Sequence, residues 1–265
     1  MNPFDLIKTR RSVRTMDGRP LSPEHREQLA AFLETVSNPY DIPVEFVLLD
    51  AQAHGLATPV IKGEACYIAA KVPQVPHGEE AFGYAFEKMV LFAWSLGIGT
   101  TWIAGSMNRA LFERAAEVKD DQWMCCVSPL GYPAGKLSLR EALMRKGVKA
   151  DQRKPWSQLF FDRDFSTPLI TEDQALTDAL EAVRLAPSAV NKQPWRVVRQ
   201  DRDFHFYVAH SKGYGKTPHG DTQKVDLGIA LCHFMTMTGG ALRVEDPGVE
   251  GPENTEYLAT VALPG

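Results

Sequence analysis

The order of local signals in this chain repeats once, and that repeat constrains the fold more than any single motif does. From Pro20 the sequence reads PLSPEHREQLAAFLETVSNPYDIPVEFVLLD, and from Pro168 it reads PLITEDQALTDALEAVRLAPSAVNKQPWRVVRQD. Each stretch has a Pro-Leu pair, then Ser or Thr near an acidic residue, a combination that starts helices. An amphipathic helix, a proline-containing loop and a strand-like run follow in each. Pro20 and Pro168, Leu33 and Leu180, Glu34 and Glu181, and Val36 and Val183 stand 147 or 148 positions apart. After the loop, Pro43 and Pro194, then Val47 and Val198, stand 151 apart, so the first loop is shorter by about four residues.

The echo continues. FGYAFEKMVLFAWSLGIG (Phe82 to Gly99) resembles VDLGIALCHFMTMTGGA (Val225 to Ala241), with Phe92 opposite Phe234 and Gly97 opposite Gly239. Both runs carry apolar residues at helical spacing and stop at a glycine. WMCCVSPLG (Trp123 to Gly131) resembles YLATVALPG (Tyr257 to Gly265), and both read as strands. Each half thus reads helix, strand, strand, helix, strand. Chance agreement between two ordinary α/β segments is the alternative. Four elements recurring in one order favour duplication, and a period this long gives a pseudo-dimer rather than a solenoid. The repeat implies two related halves of mixed helix and strand. These halves, residues 1–160 and 161–265, should pack as one compact unit.

Composition narrows the function classes. A chain of 265 residues buries a sizeable core. A net charge of −4 gives no footprint for nucleic acid. Cys66, Cys125, Cys126 and Cys232 form no CxxC pair, so buried thiols in a reducing compartment are expected, and the cytoplasm with it. The N-terminal MNPFDLIKTRRSVR has charge but no long apolar run, so no secretory leader is expected. The longest apolar stretch, Met89 to Leu96, is too short and mixed for a membrane span.

Candidate chemistry concentrates in a few segments. APSAVNKQPW (Ala186 to Trp195) packs Pro187, Ser188, Ala189, Asn191, Gln193 and Pro194 into one turn after a helix. Prolines stiffen such a loop, and Ser and Asn hydrogen-bond locally or to the edge of a flat heteroaromatic ring. Arg10, Arg11, Ser12 and Arg14 form RRSVR. Guanidinium groups bind phosphate bidentately, although a solvated basic face has the same composition. SLGIGTTWIAG (Ser95 to Gly105) has Trp102 where a dinucleotide fingerprint needs its third glycine, and it follows a helix rather than a strand. Glycine here ends the helix, and Ile103, Ala104 and Gly105 would then run close to a planar ligand with backbone amides available. LGYPA (Leu130 to Ala134) precedes RKPW, in which Arg153 and Lys154 are either a second phosphate contact or a polar linker. Lys62, before a glycine and a strand-like run, is a surface lysine or a charge beside a bound ring.

Other motifs fail their context tests. GYGKT (Gly213 to Thr217) lacks the first glycine of a phosphate loop, since His210 occupies that place. Seven histidines carry no HExxH, so no metal site is expected, and His205 and His210 read as structural. No GxSxG elbow occurs.

Four segments together resemble the FMN-dependent nitroreductase family: RRSVR, GIGTTWIAG, the GYP/RKP pair and APSAVNKQPW. The resemblance implies an α+β, FMN-binding fold with β-sheets flanked by helices, and an oxidoreductase. NADH or NADPH would supply electrons to a nitroaromatic, quinone or other electron-poor small molecule. A flavin carrier or sensor without turnover is the alternative. In that family the flavin lies between two subunits, one giving the phosphate-binding and GLGT segments and the other the PS-x-x-N loop. Here the first half holds the former and the second half the latter. The resemblance therefore implies cofactor contacts from Arg10, Arg11, Ser12, Arg14, Trp102, Ile103, Ala104, Gly105, Arg153 and Lys154 on one side, and Pro187, Ser188, Ala189 and Asn191 on the other. The flavin carries the chemistry, so no catalytic side chain is expected. A second site would need an RRS-like motif before Pro168, where FFDRDFST stands, and a PS-x-x-N loop in the first half, where SNPYDIP stands. One FMN per chain is expected, in a monomer or weak homodimer.

Overall fold

The computed structural model describes residues 2–135, 147, 152–211 and 215–265. Gly213 and Tyr214 of the GYGKT segment lie outside the described residues. The first half contains helices α1 (Pro3–Thr9), α2 (Pro23–Thr35), α3 (Gly78–Ser95) and α4 (Arg109–Ala115), with strands β1 (Glu45–Asp50), β2 (Cys66–Pro73), β3 (Gln122–Trp123) and β4 (Val127–Leu130). The second contains β5 (Phe160–Asp162), α5 (Gln174–Leu185), β6 (Trp195–Gln200), β7 (Asp203–Ala209), the short hairpin β8 (Lys216–Thr217) and β9 (Gly220–Asp221), α6 (Thr222–Thr238), β10 (Ala241–Arg243) and β11 (Thr255–Ala262).

The helix starts follow their side chains. Ser22 caps α2 by accepting from the His25 amide, with Pro23 at the first position. Asp173 caps α5 by accepting from the amides of Ala175 and Leu176. Both long helices, α3 and α6, stop where a glycine takes the left-handed region, Gly97 at φ 75° and Gly239 at φ 65°.

Each half builds an antiparallel sheet of the same connectivity. β2 lies between β1 and β4, and β7 lies between β6 and β11. β10 extends the second sheet beyond β11, and β5 pairs parallel with β6 on the other edge. β5 spans the boundary between residues 160 and 161, so the linker enters the second sheet before the second half begins. WMCCVSPLG is not one strand. It breaks over Met124–Cys126, because the carbonyls of Met124 and Cys125 accept from the Arg109 guanidinium instead of a neighbouring strand. The four cysteines are buried free thiols.

The sheets sandwich the two long helices. α3 packs on the inner face of the first sheet through Phe82, Phe86, Met89 and Val90. α6 packs on the second through Leu227, Leu231 and Phe234. The helices cross so closely that a β-carbon at Gly83 would collide with the Val225 carbonyl, and one at Gly228 with the Glu80 carbonyl. Gly83 and Val225 stand 142 positions apart, as do Phe92 and Phe234, and Gly97 and Gly239. The crossing thus falls on positions that the repeat aligns.

Candidate functional site

The second-half loop is held from beneath and bent by its own backbone. Ser188 Oγ accepts from the Gln193 amide at 2.9 Å. The Ala189 amide donates to both carboxylate oxygens of Asp226 on α6, at 3.0 and 3.1 Å. Burial pushes the Asp226 carboxyl well above the usual carboxylate range. Val190, Asn191 and Gln193 all take positive φ, at 44°, 58° and 49°. Three such residues in four positions cost energy, and surroundings must enforce them.

The linker from the first half supplies part of that enforcement. Asn191 Nδ2 donates to the Gln152 carbonyl at 2.9 Å. Gln193 Oε1 accepts from the Lys154 amide at 2.8 Å, and Lys154 Nζ donates to the Gln193 carbonyl at 3.3 Å. Arg153 donates to the Leu185 carbonyl at the end of α5. Arg153, Lys154, Asn191 and Lys192 then line one cavity of about 590 Å³. Burial, then the charges of Arg196 and Lys192, push the Lys154 amine down to about 8. Such a cation cluster repels itself, and a bound anion relieves the repulsion.

RRSVR continues from α1 as an extended edge. The Val13 amide donates to the Thr100 carbonyl, Thr101 Oγ1 to the Val13 carbonyl, and the Lys62 amide to the Arg14 carbonyl. Ser12 pairs with Thr100 as an isolated parallel bridge. Arg11 and Lys62 are exposed. The Arg10 side chain is only 7% exposed, and its Nε lies 3.8 Å from Glu87 Oε1 on α3. That buried Nε has no hydrogen-bond partner among the described residues.

The GIGTTWIAG run divides by role. Gly97 ends α3, while a β-carbon at Gly99 would collide with the Val13 side chain, so this glycine lets RRSVR lie close. Trp102 donates through Nε1 to Glu87 Oε2 at 3.2 Å and packs on Phe86. Ile103 departs from the expectation of an available amide. It is buried in the core, and its N–H and carbonyl both pair with Val127. Ala104 gives its carbonyl to Arg109. Ala104 and Gly105 line a second cavity of about 640 Å³ with Arg109, Lys216, His219 and Thr222. This cavity also lies between the halves.

Sequence reasoning missed three polar residues of the two long helices: Glu87, Asp226 and His233. Their signal was a polar side chain inside an otherwise apolar helical run. All three are buried. His233 Nε2 contacts Glu87 Oε1 at 3.0 Å, and Nδ1 contacts the Ala182 carbonyl of α5 at 2.8 Å. His205 sits beside Thr260, and His210 beside Glu256, both in structural contacts.

Residues 2–238 match the family described as Putative TM nitroreductase. The chain belongs to this family. A putative nitroreductase from Thermotoga maritima MSB8 has the same fold, with a TM-score of 0.64 and 21% identity, over 99% of this chain and 94% of that one. A nitroreductase family protein from Clostridium difficile 630 covers 60% of this nitroreductase-family chain and 96% of itself, at 16% identity and a TM-score of 0.47. An FMN-dependent nitroreductase from Clostridium difficile R20291 covers 50% and 88%, at 15% identity and a TM-score of 0.44. No curated protein matches. Among the described residues, no helix is long and apolar enough to cross a membrane.

Proposed function

We propose that this chain is an FMN-dependent oxidoreductase in which two halves of one polypeptide stand in for the two subunits of a dimer. The single observation that carries the reading is the cavity where Arg153 and Lys154 of the linker meet Asn191 and Lys192 of the second-half loop. Two further features fit an anionic cofactor: the buried Arg10 Nε without a hydrogen-bond partner, and a Lys154 amine disfavoured in its charged form.

In this reading Arg153 and Lys154 hold the FMN phosphate, with Arg10, Ser12 and Arg14 approaching from the first half. Arg11, exposed beside them, adds positive field. Pro187, Ser188, Ala189 and Asn191 shape the wall given by the second half. Trp102 and Ile103 fix the backbone that carries Ala104 and Gly105 to the wall of the second cavity. FMN, when bound, would supply the redox chemistry between NADH or NADPH and an electron-poor acceptor. The cavity beside Gly105 leaves room for those small molecules. The chain's side chains bind, orient and exclude water, and none is required to move a proton. The unit works as a monomer or weak homodimer.

An absorbance spectrum of purified protein, followed by anaerobic NADPH and NADH addition, tests this. Flavin absorption that bleaches supports a reductase. Flavin absorption that persists with both donors contradicts turnover and leaves a carrier. Absence of flavin, with no uptake on titration, contradicts the reading altogether.

A further inference from the structure

Glu87 is fully buried near the middle of α3, a place where a lone carboxylate costs several kcal/mol. It is not alone. Oε2 accepts from Trp102 Nε1, and Oε1 meets His233 Nε2 of the second half. His233 is itself anchored on α5 through the Ala182 carbonyl. Three residues after Ala182, α5 ends at Leu185 and gives way to the loop that carries Ser188. The same Oε1 lies 3.8 Å from Arg10 Nε, beyond hydrogen-bond reach but close for two opposite charges in a dry interior.

The carboxylate therefore joins three things: the Arg10 guanidinium, the indole that begins the Trp102–Gly105 run, and a histidine fixed to the helix behind the second-half loop. Its contact with Arg10 is one of charge rather than a hydrogen bond, at 3.8 Å. No described residue accepts a hydrogen bond from the buried Nε. Trp102 and His233 keep the carboxylate from swinging away. We propose that Glu87 is a positioning residue for flavin binding, which holds Arg10 in place only when α3 and α6 are docked. The inference rests on the assignment of Arg10 to the cofactor. It makes the first half's grip on the ligand depend on a side chain of the second half.

A double-mutant cycle on the full chain tests it, using FMN fluorescence quenching on the apoprotein and far-UV circular dichroism as the fold control. Glu87→Gln keeps the shape and removes the charge. It should weaken FMN binding about tenfold, which is about 1.4 kcal/mol. Arg10→Ala should also weaken binding. In the Arg10→Ala background, Glu87→Gln should add less than about twofold, because the charge it positioned is gone. A role confined to stability would give the same loss in both backgrounds, and that result overturns the proposal. Undiminished affinity in Glu87→Gln overturns it as well. If Arg10→Ala leaves affinity unchanged, the cofactor assignment of Arg10 fails, and this inference with it. Should Glu87→Gln not fold, Glu87→Gln with His233→Asn removes both members of the buried pair and replaces it in the cycle, with the same outcomes.

Discussion

The loops at 36–43 and 186–195 occupy the same place in the repeat and do opposite things. The first turns inward. Asn38 binds its own loop, giving Nδ2 to the Ile42 carbonyl and taking the Tyr40 amide on Oδ1. Tyr40 lies flat on His77, with ring centroids 5.1 Å apart and planes 8° from parallel. The second turns outward, sending the Asn191 amide to the linker of the other half. His77 and His219 stand 142 positions apart, at the matching turns before α3 and α6. His77 is covered by Tyr40, whereas His219 lines the open cavity beside Gly105. Both connections from helix to strand are nine residues long, 36–44 and 186–194, so the shorter first loop expected from the spacing is not observed, and loop composition with one aromatic ring separates a closed side from an open one. In the proposed function, the two halves share a docking seam while only one of the two clefts between them holds the cofactor.

The comparison breaks first if the shared seam is not what holds the halves together. Gly228→Val places a branched side chain against the Glu80 carbonyl, and neither helix backbone can yield cheaply. It should cost about 3 kcal/mol, the upper range for overpacking. Urea unfolding reads this as a lower midpoint at unchanged slope, and an unchanged midpoint contradicts the crossing. The open side is probed next. Arg153→Ala or Asn191→Ala should weaken FMN binding about tenfold, as expected for a lost charge-assisted or ligand-facing bond. Asn38→Ala on the closed side should leave FMN affinity unchanged.

Acidity offers a third test. The folded Lys154 amine lies near 8, below its ordinary value of 10.5, so the unfolded chain binds more protons between those values. Apoprotein stability should therefore rise as pH climbs from about 8, while FMN affinity falls through the same window as the amine loses its charge. Lys154→Met should flatten both profiles. Trends that survive this substitution would refute the assignment. The smallest effect belongs to Tyr40. Its buried hydroxyl has no hydrogen-bond partner among the described residues, and burial drives the phenol well above its usual range. Tyr40→Phe should be neutral or stabilising by about 1 kcal/mol in thermal unfolding. A loss of that size would mean the hydroxyl has a partner.

Much of this architecture was legible because it is local or periodic. Ser22, Gly97, Gly239 and the strand-like runs of β1 and β6 each act within a few residues. The long helices were legible as elements, since their apolar spacing persists over several turns. The contacts of Glu87 with His233, and of Asp226 with the Ala189 amide, were not legible. Each joins side chains or backbone distant in sequence, and a polar residue in an apolar helix does not announce its partner. The interruption at Met124–Cys126 was hidden for the same reason, because Arg109 imposes it from another element. At the candidate site the sequence pointed to Arg153, Lys154 and Asn191 without saying that Gln152 and Gln193 would tie them together.

The central claim is that two equivalent clefts serve one flavin. Titrating the apoprotein with FMN, at protein concentrations well above the dissociation constant, measures this directly. Quenching should break at one FMN per chain. A break at two per chain would contradict it.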